Sequence, residues 1–337
     1  MTSENQGETR LILGPMATLS HEAFRRLVAR FGGCDEYFTE MINAASLIHA
    51  GPFEKYYLLS GPEPEKIVWQ LTGKNAAPMA SAARIVGELG GIGVDLNMGC
   101  SAPQIANTGA GIAWMTKPLS ETAEMVRAVK TELENAAKDG HKNRLSVKMR
   151  LGAEDFTEEK LFSFCQMLLD EGVQMITLHA RTKKEKHRGH SRWEIVQHLA
   201  ENFPQIPVIL NGDVKDRASF DNAMKAAPNA KGVMIATAAA QKPWIFSMLK
   251  NTSAQENAQI DAQELALEFI DNVEKYQPPE FWKTRLQRFF AYYCLNFSFA
   301  HYFQTQMLNA KDNEDAKIRV KEYFEKCKCD IIIKKEN

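Results

Sequence analysis

Short apolar or β-branched runs recur along the first two thirds of the chain, and most are separated by stretches with apolar residues at three- and four-residue spacing. The runs are Leu11-Ile12-Leu13-Gly14, Glu36-Tyr37-Phe38-Thr39, Ile67-Val68-Trp69-Gln70-Leu71, Gly93-Val94-Asp95-Leu96, Leu145-Ser146-Val147-Lys148-Met149, Met175-Ile176-Thr177-Leu178, Pro207-Val208-Ile209-Leu210 and Gly232-Val233-Met234-Ile235. Runs this short predict buried strands. The stretches His21 to Arg30, Ser81 to Leu89, Leu119 to Ala136, Thr157 to Glu171, Trp193 to Asn202 and Arg217 to Ala226 predict amphipathic helices. Ser20 and Asp216 suit helix starts, and Leu89-Gly90, Asp139-Gly140 and Glu171-Gly172 suit helix exits. Alternating strands and helices predict a parallel sheet, and eight such units fit a closed (β/α)8 TIM barrel, an α/β fold, better than an open sheet. The second unit is the weakest, because Met41 to His49 is short for a crossover helix.

Past Pro243-Trp244 the strand pattern stops. Residues 251–260 are polar and linker-like, and helix-compatible stretches follow at Ala262 to Tyr276, Phe281 to Met307 and Asn313 to Cys327. Pro278-Pro279 separates the first two, since a helix does not continue through them. The expected organisation is a barrel domain over residues 1–250 and a smaller all-helical domain over 251–337.

Composition narrows the function. The 337 residues are 45% apolar and 25% charged, enough for a globular fold with a sizeable core. With 41 basic and 42 acidic residues the chain as a whole is no polyanion binder, so any nucleic acid contact must come from a local patch. The six cysteines form no disulfide framework, and Cys327-Lys328-Cys329 lacks the second pair of a metal site, so a reduced cytoplasmic protein without metal is expected. Met1 to Arg10 is polar, without a signal-length apolar segment, and no run approaches the ~20 apolar residues of a membrane span.

The candidate chemistry centres on Val94-Asp95-Leu96-Asn97-Met98-Gly99-Cys100-Ser101-Ala102-Pro103, followed by Gly109-Ala110-Gly111. The run spills into a tight loop and puts a thiol at a strand's carboxyl end, where parallel α/β folds place their chemistry. A lone cysteine is most often a buried structural residue; here its company reverses the odds. The carboxyl ends of the other strands carry Pro15-Met16-Ala17, Thr39-Glu40, Gln70, Asn97, Lys148 with Arg150, His179 with Arg181, and Asn211-Gly212-Asp213. Each alone has an ordinary reading as a solvent-facing strand residue, a hydrogen-bonded core histidine or a turn. Gathered at one end of successive strands, they read as a cofactor pocket. Asn211-Gly212-Asp213 and Ala236-Thr237-Ala238-Ala239 occupy the two loops that usually anchor a phosphate in such barrels. The basic loop Arg181 to Arg192, with Lys183, Lys184 and Lys186, is ordinarily a solvated face; beside a pocket it suits phosphate contact. In the tail, Lys283, Arg285 and Arg288 lie among aromatic residues and are candidates for the same partner.

Together these motifs, in order over residues 11–246, resemble the tRNA-dihydrouridine synthases. The resemblance implies an FMN-binding TIM barrel with a C-terminal helical domain that helps hold tRNA. Pro15, Met16, Ala17 and Gln70 would line the flavin, with Lys148 near its N1/O2 edge and His179 in contact. Asn211, Gly212, Asp213, Ala236 and Thr237 would hold the phosphate end. Cys100 would be the general acid, giving a proton to C5 of a uracil whose C6 takes hydride from reduced FMN, with NADPH as reductant. Asn97 would hydrogen-bond the base and Arg150 would add a donor. Arg181, Lys183, Lys184, Lys186, Arg285 and Arg288 would face tRNA, and a monomer is expected.

The chain departs from the family's pattern in three places. Ser101-Ala102 stands between Cys100 and Pro103 where proline usually follows directly, Ala236-Thr237-Ala238 replaces Gly-Arg-Gly, and Arg192 replaces an aspartate, with histidine at the nearby position 187. Two alternatives stay open: an FMN barrel reducing a free pyrimidine or small enone, and a tRNA-binding paralogue that has lost the cofactor.

Overall fold

The computed structural model describes residues 9–137, 142–153, 155–186, 188–250 and 259–334. All eight expected runs are strands, and a ninth, two-residue strand joins them. In chain order they are β1 (Arg10–Leu13), β2 (Glu36–Phe38), β3 (Ile42–Asn43), β4 (Ile67–Thr72), β5 (Gly93–Met98), β6 (Arg144–Arg150), β7 (Met175–His179), β8 (Val208–Asn211) and β9 (Gly232–Ile235). Every pairing is parallel. The ring closes because β1 pairs with both β9 and β2, and β2 reaches β4 through Tyr37–Ile67 and Phe38–Val68. A TIM barrel results, with β3 added beside β4 beyond the end of the short β2. The weakness of the second unit is real: its crossover holds only the short helices Ala44–Ile48 and Glu54–Tyr57.

The remaining units carry helices on the outside at Glu22–Arg30, Ala76–Gly87, Leu119–Asn135, Glu158–Asp170, Trp193–Asn202 and Arg217–Ala226. Asp216 caps the last, accepting from the Ser219 backbone N–H at 2.8 Å while Ser219 Oγ accepts from the Asp216 backbone N–H. Ser20 does not cap the first helix. Its Oγ instead accepts from the Met16 backbone N–H at 3.0 Å, bracing the loop after β1. The exit at Glu171-Gly172 is as expected, with Gly172 at a positive φ of 89°. Asp139-Gly140 lies outside the described residues.

Strand alternation points every second side chain into the barrel. Ile12, Phe38, Val68, Met175, Ile209 and Met234 form an apolar plug at mid-height. Polar residues lie beyond it in both directions along the strands, Glu36 and Arg144 toward one end, Asp95, Asn97, Lys148, Arg150, His179 and Asn211 toward the other.

After the barrel come helices at Ala262–Tyr276, Pro279–Tyr293, Ala300–Leu308 and Asn313–Lys326. The expected single helix from 281 to 307 is broken at Cys294–Asn296. There the chain turns so that Phe297 enters an aromatic core with Tyr293, Phe303 and Tyr323, a tertiary demand that no proline or glycine announces. Gln259 and Ile260, expected in a linker, belong instead to β10 (Gln259–Asp261), which pairs antiparallel with β11 (Ile332–Lys334). Among the described residues no helix is long and apolar enough to cross a membrane.

Candidate active site

Cys100 stands half-buried just past β5, and a chain of hydrogen bonds behind it fixes its backbone. Ser146 Oγ on β6 donates to Asp95 at 2.8 Å; the Gln70 Nε2 donates to the other Asp95 oxygen at 2.8 Å. Asn97 Nδ2 donates to Gln70 Oε1 at 2.9 Å, which leaves Asn97 Oδ1 to accept from the backbone N–H of Cys100 at 2.9 Å and of Gly99 at 3.3 Å. An ionised carboxylate only accepts, so Asp95 dictates which way both amides face. Burial is the main cause that raises the Asp95 carboxyl to about 6, against the Gln70 and Ser146 hydrogen bonds and the Lys148 charge. On the other side of the thiol, Gly111 has φ 59°, and a Cβ there would stand 2.6 Å from the Cys100 carbonyl oxygen. Only glycine lets the Gly109-Ala110-Gly111 loop pack this tightly against Cys100.

Lys148 faces the same opening from β6. Its side chain makes no hydrogen bond or close ion pair among the described residues, and burial, reinforced by Arg150, lowers its pKa to about 8 against the charge of Asp95. Arg150, 7% exposed, donates to the Lys186 carbonyl at 2.7 Å. His179 is buried beside Arg181, whose Nη1 lies 2.9 Å from His179 Nε2. Arginine has only donors, so that ring nitrogen is the acceptor. Asn211 donates to the Met234 carbonyl at 2.8 Å and Gly212, at φ 113°, approaches so near that a Cβ would meet the His179 ring at 2.9 Å.

The loop after β1 completes the rim. Pro15 and Met16 are half-buried, Ala17 is exposed, and Thr18 takes a left-handed φ of 64° with its backbone N–H donated to Glu40. Beside this loop, after β9, Ala236 is half-buried, and exposed Thr237 begins the one-turn helix Thr237–Gln241.

The family model for the dihydrouridine synthases matches residues 12–328. The chain belongs to the dihydrouridine synthase family. A "Probable tRNA-dihydrouridine synthase" of Aquifex aeolicus is 32% identical over 80% of this chain and 82% of its own length. Another, of Rhodobacter capsulatus, is 31% identical over 71% of this chain and 70% of its own. The "Probable tRNA-dihydrouridine synthase 2" of Bacillus subtilis is 28% identical over 94% of both chains.

For a dihydrouridine synthase whose RNA-side residues were read from charge runs, the structure redraws that side. Arg181 is 4% exposed; its Nη2 donates to both Asp213 oxygens at 2.8 Å and its Nε to the Arg188 carbonyl at 3.3 Å. It is an internal brace of the basic loop and no surface contact. Asp213, expected at the phosphate end, is held by Arg181 and by the Ser191 backbone N–H at 2.6 Å. Arg285 is 2% exposed and paired with Glu40 at 2.8 Å, so it too leaves the RNA surface. Both had a readable signal. Arg181 shares strand parity with His179, and Arg285 sits four residues from each of Phe281 and Phe289 on a buried helix stripe. Arg288 is half-buried over the Tyr292 ring, 5.2 Å from its centre. Lys183, Lys184, Lys186 and Lys283 are exposed. Arg192 pairs with Glu185 at 2.7 Å, and position 187 lies outside the described residues. Sequence reasoning gave no role to Asp95 and Ser146, polar residues at inward strand positions, and placed Glu40 at the mouth without its partners Thr18 and Arg285.

Proposed function

We propose that this chain reduces the C5=C6 bond of a uridine in tRNA to 5,6-dihydrouridine, with FMN as cofactor and NADPH as its reductant. The observation that carries the reading is the half-buried Lys148 ammonium, without a hydrogen-bond partner among the described residues and at the same strand end as Cys100. A partly desolvated cation in that state fits an anionic group of a ligand, and the flavin's N1/O2 edge or phosphate is such a group. FMN, when bound, supplies the hydride that reaches C6. The protein's part is position and protons. Cys100, its backbone held by Asn97 and the glycine loop, gives its proton to C5 from the half-buried rim. Asn97 keeps its carbonyl for that loop and has one N–H left for the base. Pro15, Met16, Ala17, Gln70 and His179 would border the ring system, and Asn211, Gly212, Ala236 and Thr237 the phosphate end, with backbone N–H groups and the Thr237 hydroxyl replacing the arginine that this loop lacks.

A stacked uracil cannot reach the bottom of such an opening, so the nucleotide must be extruded into it. The exposed Lys183, Lys184 and Lys186 would hold the flanking phosphates. The test is direct: the purified protein should be yellow, and with NADPH should form dihydrouridine in tRNA and not in free uridine. A protein that remains colourless in excess FMN, or that reduces free uridine as fast as tRNA, would refute the proposal.

A further inference from the structure

Glu40 lies just past β2, 4% exposed, and joins two parts of the molecule that the barrel itself does not connect. It accepts from the backbone N–H of Thr18, in the loop after β1, and from Arg285 Nη1 at 2.8 Å, on the Pro279–Tyr293 helix of the tail. Thr18 needs such a hold. It is a β-branched residue at φ 64°, a backbone region that persists only when its surroundings enforce it. Arg285 is itself fixed, its Nε donating to Gln277 Oε1 at 3.1 Å and its guanidinium lying 5.0 Å from the centre of the Phe281 ring and 5.8 Å from that of Tyr57.

A buried ion pair is weak evidence for stability, because desolvating two charges offsets most of their attraction. What this pair does supply is a carboxylate acceptor at a set place. Burial pushes the Glu40 carboxyl up, and Arg285 is the first of the groups that oppose the push. Without the arginine, less opposes that push, the carboxylate form of Glu40 is disfavoured and its hold on the Thr18 N–H weakens.

We propose that Arg285 is a positioning residue for the cofactor loop: acting through Glu40, it holds Thr18 in its left-handed conformation and so shapes Pro15-Met16-Ala17 from the helical tail. The inference rests on the FMN reading, and its test separates the two. In full-length protein stripped of flavin, FMN affinity is read by flavin fluorescence and the protection of the Thr18 amide by hydrogen exchange. Arg285→Met should weaken FMN binding by about tenfold or more and expose the Thr18 amide, while the β5 and β6 amides stay protected. Arg285→Lys should restore most of both. If Arg285→Met folds poorly, the paired variant Glu40→Met with Arg285→Met keeps an apolar filling and should fold well, still with weak FMN binding. Wild-type affinity in either variant, or an unchanged Thr18 amide in Arg285→Met, overturns the inference. A wild-type protein that binds no FMN overturns the cofactor reading and the FMN arm with it, and the exchange result then decides the Glu40–Thr18 coupling alone.

Discussion

The two ends of the barrel interior are built by the same alternation of strand residues and treat charge in opposite ways. At the amino end, Arg144 grips both Glu36 oxygens, at 2.8 and 2.6 Å, and Arg10 adds a third contact at 3.4 Å. At the carboxyl end Arg150 and Arg181 donate to carbonyls and to Asp213, while half-buried Lys148 has no such contact among the described residues. Polar residues inside a barrel are therefore no guide to function by themselves. The charge-paired cluster is scaffold; the cluster with an unmatched charge and a thiol is where a ligand is wanted.

Breaking each end should give opposite phenotypes. Cys100→Ala, at the mouth, should lower dihydrouridine formation by about 10²–10⁴, the usual loss for a general acid, and leave flavin absorbance intact. Glu36→Gln, at the other end, should cost about 1–3 kcal/mol in a urea melt by leaving the half-buried Arg144 unmatched, and should leave the turnover of folded enzyme unchanged. A Glu36→Gln variant that kept its stability and lost turnover would erase the distinction between the ends.

Lys148→Met sharpens the contrast, because it predicts a gain. Burial lowers the lysine to about 8 from its ordinary 10.5, so the fold is working against the charge at neutral pH. Removing the charge should stabilise the flavin-free protein by about 1–2 kcal/mol, the usual range where a site is strained for function, and weaken FMN binding. Calorimetry of the stripped protein and a flavin titration read the two effects.

The barrel was readable because each strand is a short apolar run bounded by turn residues, and the flanking helices keep strict three- and four-residue spacing. β3 and the β10–β11 pair were not, since two or three residues of strand depend on a partner distant in sequence. The mouth was readable as a set of residue types. Their partners were not: a charge run such as Arg181 to Arg192 looks uniform in sequence, yet Arg181 is held inside by His179 and Asp213 while Lys183 and Lys184 stay exposed. The relay from Ser146 to Cys100 was hidden for a related reason, because it runs across three strands and no single stretch contains it.

The smallest expected effect concerns the relay and the pH. Asp95 ionises near 6 in the fold and near 3.8 in the unfolded chain, so between those values the folded state holds the extra proton. The stability this confers is complete below about pH 4 and is lost as the pH rises through about 6. His21 runs the other way: burial, then Arg285 and Arg25, hold it well below 6.5, so its contribution is present above that pH and is lost as the pH falls. The wild-type curve therefore sums opposing slopes, and Asp95→Asn isolates one of them. The difference in unfolding free energy between wild type and Asp95→Asn should fall by about 1–3 kcal/mol from pH 4 to 6. Turnover should survive, because an asparagine can keep its oxygen toward Gln70 if the Ser146 hydroxyl rotates to accept from the new amide, preserving the direction of every bond up to the Cys100 N–H. Gln70→Glu, which sets two acceptors face to face, should not be tolerated in the same way. A flat difference across that window would mean that Asp95 is not the desolvated group behind the thiol, and the amides would then owe their orientation to something other than its carboxylate.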